Sequence, residues 1–301
     1  MKWGVYMSKK YKRRWGDRYD GRKCRNIPAL FYVIPHIMRS RLDSQIFFEE
    51  TIDLEELEKF VRQKRKDEIP NFATLHLIIA AALRMFAEKP GLNRFISGKR
   101  IYARNTYRVS LAVKQGMNAD AEETTITPEF EATDSLADIT KKINDEILAV
   151  KNIDDDKNAT SALVKVLKFV PCWLVNFIVA SARFLDKRGL LPKLIYKASP
   201  FHSSFFITDV GSIGINSIYH HLYEFGTTSV FIALGKKQTA IISNPDGTLS
   251  KKKTITIKFV VDERICDGFY YASALKCFMR YIKKPELLEE PLKEFSEDPW
   301  L

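Results

Sequence analysis

Histidine and cysteine are scarce in this chain of 301 residues, which has five of the first and four of the second. Cys24, Cys172, Cys266 and Cys277 form no C-x-x-C pair, and their spacing fits neither a zinc site nor a disulfide framework. No metal is expected, and the cysteine usage fits a reducing cytoplasm. Long uncharged runs are also missing. The best one, 169–182, has 14 residues with Pro171 and Asn176 inside it. That is too short to cross a bilayer, so it reads as a buried or interface helix in preference to a membrane contact. The N-terminus has basic residues but no apolar run of signal-peptide length behind them. No G-x-G-x-x-G, P-loop, G-x-S-x-G or H-E-x-x-H pattern is present, which leaves nucleotide hydrolysis, serine hydrolysis and zinc proteolysis without support.

What is present is ample core material: 46% hydrophobic residues and 12% aromatics. The formal charge of +11 is concentrated at one end. Residues 1–25 hold ten Lys or Arg against Asp17 and Asp20, interleaved with Trp3, Tyr6, Tyr11, Trp15 and Tyr19. Such a segment can stack on bases and neutralise phosphates, or lie as an arm over the protein or a neighbour. The rest of the chain is nearly balanced, so nucleic acid is the weaker reading. We divide the chain into a basic aromatic leader, 1–25, and one domain, 26–301.

Period-two spacing of Ile46 and Phe48 predicts a strand over 42–51, and Asp53 then caps an amphipathic helix over 54–66. Residues 72–88 read as a more apolar helix, stopped by Pro90-Gly91, with His76 packed in it. A strand over 108–113, a helix over 135–150, a solvent loop over 152–158 and a helix over 162–190 follow. Strands are predicted over 204–208, 229–234, 239–243 and 254–261. Asn244-Pro245-Asp246-Gly247 marks a hairpin turn before the last of them, and a final helix runs over 270–283. This order describes a mixed-sheet α/β layered domain.

Val260-Val261-Asp262-Glu263-Arg264-Ile265-Cys266-Asp267-Gly268 resembles the D-H-R-x-x-D-G signature of the acyltransferase cores of 2-oxoacid dehydrogenase complexes. That family shares its fold with chloramphenicol acetyltransferase. Other passages follow in the family's order: Pro35 to Met38, Asp53 to Leu57, Pro90-Gly91-Leu92-Asn93, Tyr107 to Val113, Phe205 to Gly214, and Val230 to Gly235. The resemblance implies a chloramphenicol acetyltransferase-like two-layer sandwich with a mixed sheet. It also implies a homotrimer with sites between protomers and a coenzyme A thioester as substrate. Two features depart from the pattern: no lipoyl domain is read in this chain, and the segment around 160–200 is longer than usual.

The third departure is Glu263, which stands where the resemblance places the general-base histidine. Thr208 matches the hydroxyl that steadies the oxyanion, and Asp267 the motif aspartate that holds local geometry, beside Arg264 and Gly268. Passing a thiol proton from a pKa of about 8.5 to a glutamate near 4.3 is uphill by about 5 to 6 kcal/mol. That deficit corresponds to a rate loss on the order of ten-thousandfold. Asp267 beside it would raise the Glu263 pKa and narrow the gap, whereas pairing with Arg264 would hold Glu263 ionised. His202, His220 and His221 are candidate substrate-binding residues and possible replacement bases. Gly211 and Gly214 read as backbone freedom after a strand, and Cys266 as buried and inert. The expectation is therefore a coenzyme A-dependent acyltransferase-like protein with altered or impaired catalysis. The alternative is a non-catalytic binding or structural homologue.

Overall fold

The computed structural model describes residues 12–114, 123–151, 170–243, 246–292 and 296–301. The first part of the leader, the loop over 152–158, the start of the helix over 162–190 and the turn residues Asn244 and Pro245 lie outside them.

The first elements are β1 (Gly21–Lys23) and α1 (Ala29–Ile37), then β2 (Gln45–Asp53), α2 (Glu55–Asp67) and α3 (Thr74–Glu88). Next come β3 (Arg94–Ser97), β4 (Arg100–Arg104), β5 (Tyr107–Lys114), β6 (Glu123–Ile126), β7 (Glu129–Phe130) and α4 (Leu136–Lys151). The second half holds α5 (Cys172–Lys187), α6 (Lys193–Ala198), β8 (Phe205–Asp209), β9 (Val230–Leu234), β10 (Gln238–Ser243), β11 (Leu249–Asp262) and α7 (Gly268–Lys283). The other predicted strands and helices are present within about five residues of their expected bounds, while of the helix predicted over 162–190 the described part is helical only over Cys172–Lys187. The additions are α1, α6, β1, β6, β7 and the hairpin β3–β4. That hairpin turns on Gly98 and Lys99, both at positive φ, the geometry a two-residue primed turn requires.

The main sheet is mixed. β5, β8 and β9 run parallel, β6 and β7 join β5 antiparallel, and the long β11 pairs antiparallel with β9, β10 and β2. β1, β4 and β3 form a separate three-stranded sheet. Because side chains alternate along a strand, each strand divides its residues between two faces. Phe205, Ile207, Ile232, Leu234, Ile257 and Phe259 join the large core under α2, α3, α4 and α7. Phe206, Phe231 and Val260 form a smaller cluster on the other face, with Leu222. The result is helices on one side of a mixed sheet, with the second side covered mainly by the segment after β8.

Local sequence explains the helices. α2 begins with Glu55, Glu56 and Glu58 and ends with Lys64, Arg65 and Lys66, matching the helix dipole. It buries Leu57 and Val61 one turn apart. α3 is apolar nearly all round and is buried along most of its length. His76 is packed in it, as expected, and its Nδ1 accepts the Ala73 backbone N–H at 3.0 Å. Residues 16–24 lie against the body, whereas 12–15 are exposed: β1 pairs with β4, and Arg18 is buried against Asp20 and Asp186.

Candidate functional site

β11 ends at Asp262, and the chain turns through Glu263 to Asp267 before α7 begins. Asp262 is fully buried, with Arg264 folded back on it: Nε donates to Oδ1 at 2.8 Å and Nη2 to Oδ2 at 2.7 Å. Ser44 Oγ donates to the same carboxylate at 3.0 Å, Tyr271 Oη donates to the Asp262 carbonyl at 2.7 Å, and Arg264 Nη1 reaches the Met38 carbonyl at 3.3 Å. Two backbone bonds, Asp262 N–H to Ser229 O at 2.9 Å and Glu263 N–H to Ser44 O at 2.8 Å, lock the turn to β9 and to the entry of β2. Burial makes this doubly bonded ion pair rigid, since neither charge can return to water without breaking the turn.

That geometry sets aside one of the two alternatives, pairing of Arg264 with Glu263. The guanidinium belongs to Asp262, so it does not clamp Glu263. Asp267 is exposed, and its carboxylate accepts the Tyr270 backbone N–H at 2.7 Å as the N-cap of α7, with Gly268 as the first helical residue. It anchors the helix, as a capping aspartate does. Glu263 is half-buried, and its side chain makes no hydrogen bond or ion pair with a described residue. Cys266 is buried, as expected, and burial pushes its thiol up to about 12.

Thr208 lies on β8, half-buried, beside Ala233 of β9. By alternation it shares the sheet face of Phe206. On that face the rings of Phe206 and Phe231 stack at 4.9 Å, and His220 lies on Phe231 at 4.1 Å with an interplanar angle of 8°. His221 stacks on His220 at 4.6 Å. The fold therefore brings His220 and His221 onto the face that carries Thr208. His220 Nδ1 lies 2.8 Å from the His221 carbonyl. A carbonyl can only accept, so that contact places a proton on Nδ1 and leaves Nε2 of the neutral ring as the acceptor.

His202 goes elsewhere. It is fully buried, with Nδ1 2.7 Å from Ser199 Oγ and Nε2 3.3 Å from Asp186 Oδ1, between the rings of Tyr196 and Phe225. Burial lowers its pKa, against the pull of Asp186.

The glycines after β8 behave differently from each other. Gly214 does use a positive φ, of 80°. Gly211 does not, and its need is close approach: a Cβ there would strike the backbone of Gly235. A Cβ at Gly235 would in turn strike Ser217. These contacts hold the segment that carries His220 tightly against the end of β9.

Glu263 and Thr208 are far apart within one chain. Val261 is level with Val230, and Thr208 with Ala233, so the two sites are offset by about five residues along the strands and by two strand spacings across them. At about 3.3 Å per residue and about 4.8 Å per strand, this amounts to about 19 Å. A single protomer cannot apply both groups to one acyl carbon. Sequence reasoning missed Asp262, Ser44 and Tyr271 as the scaffold of the turn. The visible signal was the motif's first aspartate, two residues before its arginine.

No protein-family model matches the sequence, and no curated protein matches it. Solved structures do. A probable dihydrolipoamide acetyltransferase from Listeria monocytogenes is similar at 14% identity over 86% of this chain and 93% of its own, with a TM-score of 0.55. The cubic core of the pyruvate dehydrogenase multienzyme complex is similar at 14% identity over 87% and 92%, with a TM-score of 0.53. A chloramphenicol acetyltransferase is similar at 10% identity over 84% and 94%, with a TM-score of 0.50. The chain therefore has the chloramphenicol acetyltransferase-like α/β fold, shared with the catalytic cores of 2-oxoacid dehydrogenase complexes. Among the described residues, no group of three or more His, Cys, Asp or Glu is placed to hold a metal, and no helix is long and apolar enough to cross a membrane.

Proposed function

We propose that this chain is a coenzyme A-dependent acyltransferase-like protein with altered or impaired catalysis, working as a homotrimer. In this reading Glu263 of one protomer faces Thr208 of the next across a seam that holds the acyl thioester. The observation that carries it is the separation of the two groups within one chain, which a single protomer cannot close. The fold likeness to an acetyltransferase and to a multienzyme core supports the same arrangement.

Glu263 is a weak base for a thiol, as its ordinary chemistry dictates. His220 offers an imidazole on Thr208's own sheet face, with Nε2 as the proton acceptor. Thr208 Oγ1 supplies the donor for the developing oxyanion. The test is thiol release from acetyl-CoA or a longer acyl-CoA, offered with thiol, amine and alcohol acceptors. Release above buffer that is abolished by Glu263→Gln assigns the base to Glu263, and release abolished instead by His220→Gln assigns it to the imidazole. No release from the natural chain, with turnover created by Glu263→His, would overturn the catalytic reading.

A non-catalytic descendant is the second reading. What favours it is the turn itself: the Asp262–Arg264–Ser44–Tyr271 network is complete without any imidazole. Such a scaffold can hold a thioester or a partner without turning anything over.

A further inference from the structure

The prediction that 169–182 forms a buried or interface helix is corrected on burial: α5 is exposed along nearly all of its length. Trp173 is 70%, Phe177 66% and Phe184 56% exposed, and with Ala180 they recur at i, i+4, i+7 and i+11 along one stripe. Leu190 and Leu194, just beyond, are 63% and 80% exposed. The same stretch presents Arg183, Lys187, Arg188, Lys193 and Lys197 to solvent. Between 170 and 200 the sequence has a single carboxylate, Asp186. It is turned inward, where it pairs with buried Arg18 at 2.8 Å. Gly189, at φ +69°, closes α5 with the Leu190 N–H on the Leu185 carbonyl. The helix is thus fixed to the body by its C-terminal end while its apolar stripe faces outward.

Large apolar and aromatic side chains whose exposed charged neighbours within 170–200 are all cations are the composition of a helix lying in a lipid interface. The rings and leucines enter the boundary between headgroups and acyl chains, and the Lys and Arg stems reach back to phosphates. A second copy of the same stretch fits less well, because it would set cations against cations with no exposed carboxylate within 170–200 to receive them. We propose that the segment from α5 through α6 docks this protein on the surface of an anionic bilayer. Trp173, Phe177, Phe184, Leu190 and Leu194 are the inserted residues, and the five flanking cations are the phosphate contacts. The buried Arg18–Asp186 pair makes the contact set the orientation of the whole domain on the membrane.

The experiment is flotation of the full chain with vesicles of equimolar phosphatidylcholine and phosphatidylglycerol, against phosphatidylcholine alone. The expected result is binding to the first and little to the second. The double change Trp173→Asp, Phe177→Asp should weaken binding by roughly tenfold or more, with circular dichroism and oligomeric mass unchanged. Lys187→Glu with Lys193→Glu should weaken it without touching the apolar stripe. If the aspartate variant does not fold, the blue shift of Trp173 emission on adding vesicles, measured against Trp173→Phe, decides the matter in its place. Absence of binding to the anionic vesicles overturns the proposal. So does binding that none of these changes affects, which would assign it to the basic leader. An oligomeric mass altered by the aspartate variant would also overturn it, since the stripe would then be a contact between copies.

Discussion

Asp262 and Glu263 are adjacent carboxylates with opposite circumstances. Asp262 is sealed in a bidentate ion pair, and Glu263 is half-exposed without a partner among the described residues. Removing one member of a buried pair strands the other, at a cost of about 3–5 kcal/mol. Asp262→Asn should therefore lower unfolding free energy by about that amount in urea titration, whatever it does to activity. Glu263→Gln should leave stability within about 0.5 kcal/mol, so that any loss of thiol release reports chemistry alone. The motif was legible in the sequence, but the division of labour inside it was not. Arg264 lies next to Glu263 in the chain, and only the reversal of direction at the end of β11 shows that it folds back on Asp262.

The polar anchor of α5 carries its own pH dependence. Burial opposes ionisation of Asp186, yet His202 and Arg18 outweigh it and hold the carboxyl at about 2, below its ordinary 3.8. A depressed folded-state value stabilises the protein above the unfolded value and ceases to do so as pH falls through the folded one. The anchor's contribution, about 2 kcal/mol, should therefore be intact above about pH 4 and fade towards pH 2. In acid titrations of unfolding free energy, Asp186→Asn should be less stable near neutrality and should lose this segment of the pH dependence. At this scale the sequence was most readable where apolar spacing repeats: α2, α3, α4 and α7 appear close to their expected bounds. β3 and β4 were missed because Arg94 to Arg104 places buried arginines where alternation expects apolar residues, and the partners of Arg94, the Ile265 carbonyl and the Asp298 carboxylate, lie far away in the chain. Exposure of α5 was equally hidden, since apolar content is the same whether a helix faces a core or a bilayer.

The proposed division of the site between protomers makes a prediction for the assembly. Thr208→Ala and Glu263→Gln should each be impaired alone. Co-expressed, they should regain part of the natural thiol release, because some seams in a mixed trimer join an intact Thr208 to an intact Glu263. A light-scattering mass of three chains should accompany this, and a monomer with full activity would contradict it.

The sequence alone determined the fold class, the order of most elements and the position of the turn between β11 and α7, because these rest on local spacing and on short runs of chemically constrained residues. Tertiary structure decided the rest. It placed Glu263 and Thr208 at offset positions on the sheet, paired Arg264 with Asp262, drew His220 over Phe231 and turned α5 outward. Each of these depends on strand register or on packing between residues distant in the chain, and spacing along the chain does not encode distance across it.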